Sequence, residues 1–249
     1  MTAPVWLVSH PIAHRGLHDA ARGIRENTLS AAEAAIAGGY AIECDVQNSR
    51  DSEAMVFHDH TLDRLTSERG PVRERAASEL AGLEVGGTPD RITPLPVFLD
   101  RLDGRTPLVI EIKSRFDGDE TLARRTVEIV RGRPEPLALK SFDPAIVSLL
   151  RRIAPDIPRG IVAQGRYEGG EWDALDQGRR DAMAGLLHWD DTRPDFVSYH
   201  HADLPGQGIL MPRILDGFPV MTWTIRSQQE ADRALAFADQ IVFEGFVPA

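Results

Sequence analysis

A single cysteine, Cys44, stands in 249 residues. It can form no internal disulfide and no thiolate metal site of its own, which excludes a disulfide scaffold and fits a reducing compartment. No apolar run approaches the roughly 20 residues that a membrane-spanning helix needs, so no stable membrane insertion is expected. Met1 to His14 shows no basic start followed by a long apolar stretch, so no signal peptide is read and a cytoplasmic protein is expected. Positive charge is in deficit. With 28 Lys+Arg against 38 Asp+Glu the net charge is −10, which repels a phosphate backbone and argues against a nucleic-acid partner. A local basic site for one small anion stays open.

What is present is a run of short apolar, β-branched segments alternating with helical patterns. Strands are predicted at 8–14, 40–46, 54–58, 108–113, 137–141, 160–163, 196–200, 220–225 and 240–244. Helices are predicted at 28–37, 120–131, 144–153, 172–187 and 228–238. Gly38 and Gly39 close the first helix, and Asp143 before Pro144 reads as an N-cap with proline at the first helical position. Strands separated by helices imply parallel βαβ units. Eight or nine of them in a chain of this length imply an α/β fold, a closed (β/α)8 TIM barrel, with one early strand as a short extra element. Residues 1–249 read as a single barrel domain. The segment from Asp59 to about residue 100, rich in Pro and Gly, reads as an insertion carried on it.

The segment Tyr40–Val46 carries the first chemical signal. Side chains alternate faces along a strand, so Ile42, Cys44 and Val46 share one face while Glu43 and Asp45 share the other. With the apolar trio outward, two carboxylates about 6.6–7 Å apart at Cα enter the barrel. Two chemistries fit such a pair: a shared cation, or ion pairing with Arg15, Arg25 or Lys113. The same arithmetic turns Glu111 and Lys113 inward. Two more predicted strands end in histidine, His14 and His58, at the C-terminal rim where barrel active sites lie. Cys44 faces outward and reads as a small buried hydrophobe. His200 and His201 point to opposite faces, so at most one enters a site. His10, His18, His60 and His188 have no motif around them.

In order along the chain, His14-Arg15-Gly16, Glu26-Asn27-Thr28, Glu43-Cys44-Asp45, His58-Asp59 and Glu111-Ile112-Lys113 resemble the glycerophosphodiester phosphodiesterase family. That family belongs to the phosphatidylinositol-phospholipase-C-like barrels. Ser141-Phe142 and Trp223-Thr224 extend the resemblance over nearly the whole chain. Two places depart from it. Arg25 stands where the family usually has proline, and the last strand ends in Phe243-Glu244-Gly245-Phe246 where a Thr-Asp-x-Pro-like sequence is usual.

The resemblance implies a phosphoric diester hydrolase with a small-molecule glycerophosphodiester as partner. It implies that Glu43, Asp45 and Glu111 bind one divalent cation, Mg²⁺ or Ca²⁺, with Mn²⁺ a third choice. It places Arg15 and Lys113 on the phosphate and Glu26 on the metal or a glycerol hydroxyl, with Trp223 also at the substrate. His14 and His58 become an acid/base pair working through a cyclic phosphate toward glycerol 3-phosphate. Two other readings share this residue set: a phospholipase D-like lyase that stops at the cyclic phosphate, and a barrel that binds a phosphodiester without cleaving it. Head-group selection falls to the 59–99 segment and to Phe142, Tyr199, Trp223 and Phe246. The sequence leaves the head group and the oligomeric state open.

Overall fold

The structure is a computed structural model that describes residues 3–206 and 208–249. Ten strands follow one another: β1 (Ile12–Ala13), β2 (Ala41–Asn48), β3 (Ala54–Val56), β4 (Thr93–Pro94), β5 (Leu108–Ile112), β6 (Leu137–Ser141), β7 (Arg159–Ala163), β8 (Phe196–His200), β9 (Val220–Ile225) and β10 (Gln240–Phe243). All but β3 and β4 pair in parallel, and β1 bonds to both β10 and β2, which closes the expected eight-stranded (β/α)8 barrel.

Alternation along these strands builds two cores. Ile42, Cys44, Val46, Ile110, Ile112, Leu137 and Leu139 face outward onto the helix layer. Ile12, Ala41, Val109, Ala138, Phe196, Met221 and Val242 fill the barrel's interior. Large and small residues complement one another there. A Cβ built on Gly160 of β7 would lie 2.3 Å from the Phe196 ring, so the glycine makes room for the phenyl group.

Several boundaries differ from the sequence reading. The first predicted strand shrinks to two residues, because Val5–Val8 forms a 3₁₀ turn that carries Leu7 into the interior core. The 54–58 strand is the extra element. It runs antiparallel to β2, returning after a turn at 49–53, and pairs on its other side with β4. The helix predicted over 172–187 breaks into a 3₁₀ turn, Gly170–Ala174, and a helix, Gln177–Ala184, whose N-cap Asp176 accepts from the Arg179 N–H. The last predicted helix ends at Ala234. Within residues 59–100, Leu62, Leu65, Val72, Leu80, Val85 and Ile92 form a small core with Met55 and Phe57. The helix Leu95–Leu102 packs instead into the main helix layer.

Gly160→Val should destabilise the fold by about 1–3 kcal/mol in urea denaturation, the usual range for an overpacked interior. Phe196→Leu in the same chain should recover part of that loss, since the two residues share one space.

Candidate active site

At the C-terminal rim, alternate strand residues converge. Glu43 and Asp45 come from β2, and Glu111 from β5 stands in register with Asp45 on one side and Lys140 of β6 on the other. Glu43, Asp45 and Glu111 are buried and offer oxygens within 4.8 Å of one another. Three like charges out of water repel strongly unless compensated. Lys113 Nζ lies 2.8 Å from Asp45 Oδ1 and 2.5 Å from Glu111 Oε1. Lys140 Nζ lies 3.1 Å from Glu43 Oε1 and 3.3 Å from Glu111 Oε2. Arg15 Nε stands 3.3 Å from Asp45 Oδ2.

Burial alone would raise Asp45 and Glu111, but Lys113 and the other cations outweigh it and hold both below the usual carboxylate range. Burial likewise opposes the charge on Lys113 and Lys140, and the facing carboxylates outweigh it, holding both above the ordinary lysine value. These four groups are therefore ionised at neutral pH. Cys44, by contrast, is pushed well up by burial and by Glu43 and Asp45, so its thiol stays protonated.

The loop motifs hold this cluster in place. The Arg15 and Gly16 backbones take left-handed conformations, φ 56° and 78°. The turn lets the Arg15 N–H donate to Glu43 Oε2 at 3.2 Å. A Cβ on Gly16 would stand 2.8 Å from the Ala31 backbone, so only glycine fits there. In Glu26-Asn27-Thr28 each residue has its own task. Glu26 Oε1 accepts from Arg15 Nη1 at 2.6 Å. The Asn27 amide donates to Asp45 Oδ2 at 2.8 Å and accepts from the Asp45 N–H at 3.1 Å. Thr28 caps the helix Leu29–Ala37 by accepting from the Ala31 N–H. Arg25 bonds to the Gly86 carbonyl at 3.0 Å, tying this loop to the 59–100 segment.

Each histidine of interest is gripped at Nδ1 by a carboxylate that an arginine backs. His14, just after β1, donates to Glu244 Oε2 at 2.6 Å, and Arg226 donates to Glu244 Oε1 at 2.6 Å. His58 donates to Asp59 Oδ1 at 2.7 Å, and Arg64 donates to both Asp59 oxygens. Burial would raise both carboxylates, but the histidine and arginine partners hold Asp59 and Glu244 far below the usual range. A carboxylate at Nδ1 fixes the proton there and leaves Nε2 for chemistry; His14 Nε2 faces Glu43 Oε2 at 4.0 Å. His58 reaches the rim by a route the sequence reading did not give. It follows the returning strand β3, and the neighbouring Phe57 N–H donates to the Asp45 carbonyl at 3.0 Å.

A cavity of about 170 Å³ is lined by His14, Arg15, Asp45, His58, Glu111, Lys113, Lys140 and, on one side, by Phe142, Trp172 and Trp223. Glu43 completes the carboxylate cluster beside it. Glu26 does not join that cluster. Both its oxygens are taken, Oε1 by Arg15 and Arg64 and Oε2 by Arg64. Two aromatic candidates fall elsewhere. Tyr199 alternates with Ser198 and His200 and packs outside the barrel, and Phe246 packs against Phe243 in the helix layer. Of the histidines without a motif, His18 stands 3.6 Å from Glu244 and His60 touches Gln47 at 3.2 Å. His188 is pushed down to about 4 by burial.

The sequence gives no role to Lys140, Arg64 or Trp172, nor to Asn27 and Glu244, although these two stand in the segments quoted above. Lys140 and Glu244 did carry a signal, since each continues the inward parity of its strand, after Ala138 and Val242. Arg64 and Trp172 sit on irregular segments and carried none.

The sequence profile of the glycerophosphoryl diester phosphodiesterase family matches residues 14–243. The chain belongs to the glycerophosphoryl diester phosphodiesterase family. This is the family that its motifs resemble. It is 30% identical over 160 residues to the uncharacterized protein YqiK of Bacillus subtilis, covering 60% of this chain and 65% of that one. It is 28% identical over 163 residues to a glycerophosphodiester phosphodiesterase of Caldanaerobacter subterraneus, covering 61% and 66%. Those alignments thus span just under two thirds of each relative. The barrel is shared with a phosphodiesterase of Oleispira antarctica solved with its product sn-glycerol 3-phosphate, at TM-score 0.75 and 21% identity over 94% of this chain and 91% of that one. Among the described residues no helix is long and apolar enough to cross a membrane. The carboxylate cluster of this phosphodiesterase-family barrel has the all-oxygen donor set that a hard divalent cation takes.

Burial raises Glu26, but the bonds from Arg64 and the charge of Arg15 bring it from its ordinary 4.5 down to about 2. The folded-state value is the lower one, so Glu26 adds stability that is complete above pH 4.5 and fades as the pH falls toward about 2. Urea denaturation at pH 5.5, 4.5 and 3.5 should therefore show a shallower acid loss for Glu26→Gln than for the parent chain. Parallel slopes would contradict the pairing.

Proposed function

We propose that this chain hydrolyses glycerophosphodiesters to glycerol 3-phosphate and an alcohol. The observation that carries this reading is the pair His14 and His58, each oriented by its own carboxylate and both lining the cavity that holds Arg15, Lys113 and the acidic cluster. Family membership supports it, as do the name of the Caldanaerobacter relative and the product bound by the Oleispira enzyme. Residues 1–249 act as one barrel domain carrying the segment at about 59–100.

Glu43, Asp45 and Glu111 would hold one divalent cation, Mg²⁺ or Ca²⁺ ahead of Mn²⁺. When bound, it supplies Lewis-acid polarisation of the phosphoryl group. The chain's own groups do the rest. Arg15 and Lys113 take the charge of the phosphate. One imidazole accepts the proton of the glycerol hydroxyl next to the phosphate as that oxygen attacks phosphorus. The other protonates the departing alcohol oxygen, and a cyclic phosphate results. Water then opens the ring with the two roles exchanged. Glu26 stands outside the carboxylate cluster and serves this chemistry by holding Arg15, which donates to its Oε1 at 2.6 Å. Phe142 and Trp223, 5.5 Å apart edge to face, form an apolar wall for the alcohol arm.

The test is a panel of deacylated diesters, choline, ethanolamine, glycerol and inositol, each assayed with Mg²⁺, Ca²⁺ and Mn²⁺ for glycerol 3-phosphate. Several should be cleaved, with kcat/KM differing by less than a few hundredfold, because apolar wall contacts discriminate only by about 10–200-fold. Cyclic phosphate as the final product would favour a lyase, and no turnover with any cation would overturn the reading. His14→Ala and His58→Ala should each lower kcat by about 10²–10⁴-fold with folding retained, the usual worth of a general acid or base. Glu244→Gln and Asp59→Asn should cost less, about 10–100-fold, as expected when an orienting partner is lost. His188→Ala should leave turnover unchanged.

A further inference from the structure

The two lysines of this chain are Lys113 and Lys140; all its other Lys+Arg residues are arginine. Both ammonium groups sit in the rim cluster. Lysine offers there what arginine does not, a compact point charge that can stand between two carboxylates. The consequence is visible oxygen by oxygen. Lys140 faces Glu43 Oε1 and Glu111 Oε2, Lys113 faces Asp45 Oδ1 and Glu111 Oε1, and backbone or side-chain N–H groups serve the remaining two. Every carboxylate oxygen that could bind an ion already has a positive or donor partner.

We propose that Lys140 is a resident counter-cation: its ammonium holds Glu43 and Glu111 together without a metal, competes with a divalent ion for them, and so sets the affinity of the centre. This rests on the metal role given to the three carboxylates above. Lys113 stands at the cavity side, 14% exposed, where it can turn to a phosphate. Lys140 also borders the cavity but is only 3% exposed, its ammonium 3.1 Å from Glu43 Oε1 and 3.3 Å from Glu111 Oε2, and its positive charge opposes any second cation there. It is a positioning residue, acting on the ligands and not on the substrate.

The experiment measures ions, not turnover. Calorimetric titration of Ca²⁺ and Mg²⁺ into the parent chain and into Lys140→Met should show at least about tenfold tighter binding in the variant, the low end of what a neighbouring like charge costs. In EDTA the variant should melt below the parent, and saturating Ca²⁺ should raise its Tm by more than it raises the parent's. Should Lys140→Met fail to fold, the parent labelled with ¹⁵N-lysine decides alone. With two lysines it gives two side-chain resonances, and saturating Ca²⁺ should shift or broaden that of Lys140. Unchanged or weaker ion binding in the variant, or a Lys140 signal indifferent to Ca²⁺, would overturn the proposal. These readouts are independent of the diester assay. Failure there with tighter ion binding here would sink the enzyme reading and leave Lys140's role standing.

Discussion

Three carboxylates buried at one barrel rim set the terms for the rest of this molecule. Removing a carboxylate from water costs several kcal/mol even after relaxation, and Glu43, Asp45 and Glu111 do so side by side. The fold answers with cations on neighbouring strands and loops: Lys113 and Lys140 from β5's end and β6, and Arg15 from the turn after β1. Those cations need holding in turn. Glu26 and Arg64 fix Arg15, and Asn27 fixes Asp45. The helix beginning at Thr28, the turn at Gly16 and the 59–100 segment that supplies Arg64 can all be read as consequences of one electrostatic requirement.

The histidines repeat the same logic on a smaller scale. Each is backed by a carboxylate and each carboxylate by an arginine, yet the parts come from distant places: Glu244 and Arg226 from just past the ends of the last two barrel strands, Asp59 and Arg64 from the chain beyond β3. Two separately built but equivalent supports suit the proposed mechanism, in which the two imidazoles would exchange the roles of acid and base between half-reactions. The unusual ending of the last strand becomes intelligible here, because Glu244 there faces His14.

Alternation along strands made much of this legible without coordinates. The outward trio around Cys44 and the inward Glu43, Asp45 and Glu111 all lie as the period of two requires. Lys140 and Glu244 obey the same rule, but recognising them takes strand neighbours and register: Lys140 matters because β6 lies beside β5 and sets it level with Glu111. His58 was placed at the right rim by the wrong element, since an alternating pattern looks the same in a barrel strand and in a hairpin strand that turns back. Arg64 and Trp172 lie on irregular backbone, where no period tells which way a side chain points. Tyr199 was misplaced for the opposite reason: its parity was readable, but aromatic character drew it to the mouth.

The most direct measurement of this account is a crystal structure of the chain grown with Ca²⁺ and glycerol 3-phosphate. One ion is expected at about 2.3–2.6 Å from oxygens of Glu43, Asp45 and Glu111, the usual calcium–oxygen range. The phosphate should lie against Arg15 and Lys113, with a histidine Nε2 within about 2.6–3.2 Å of a phosphate or glycerol oxygen, the reach of a general acid or base. An ion and phosphate bound elsewhere, with the three carboxylates still closed on their two lysines, would contradict this reading.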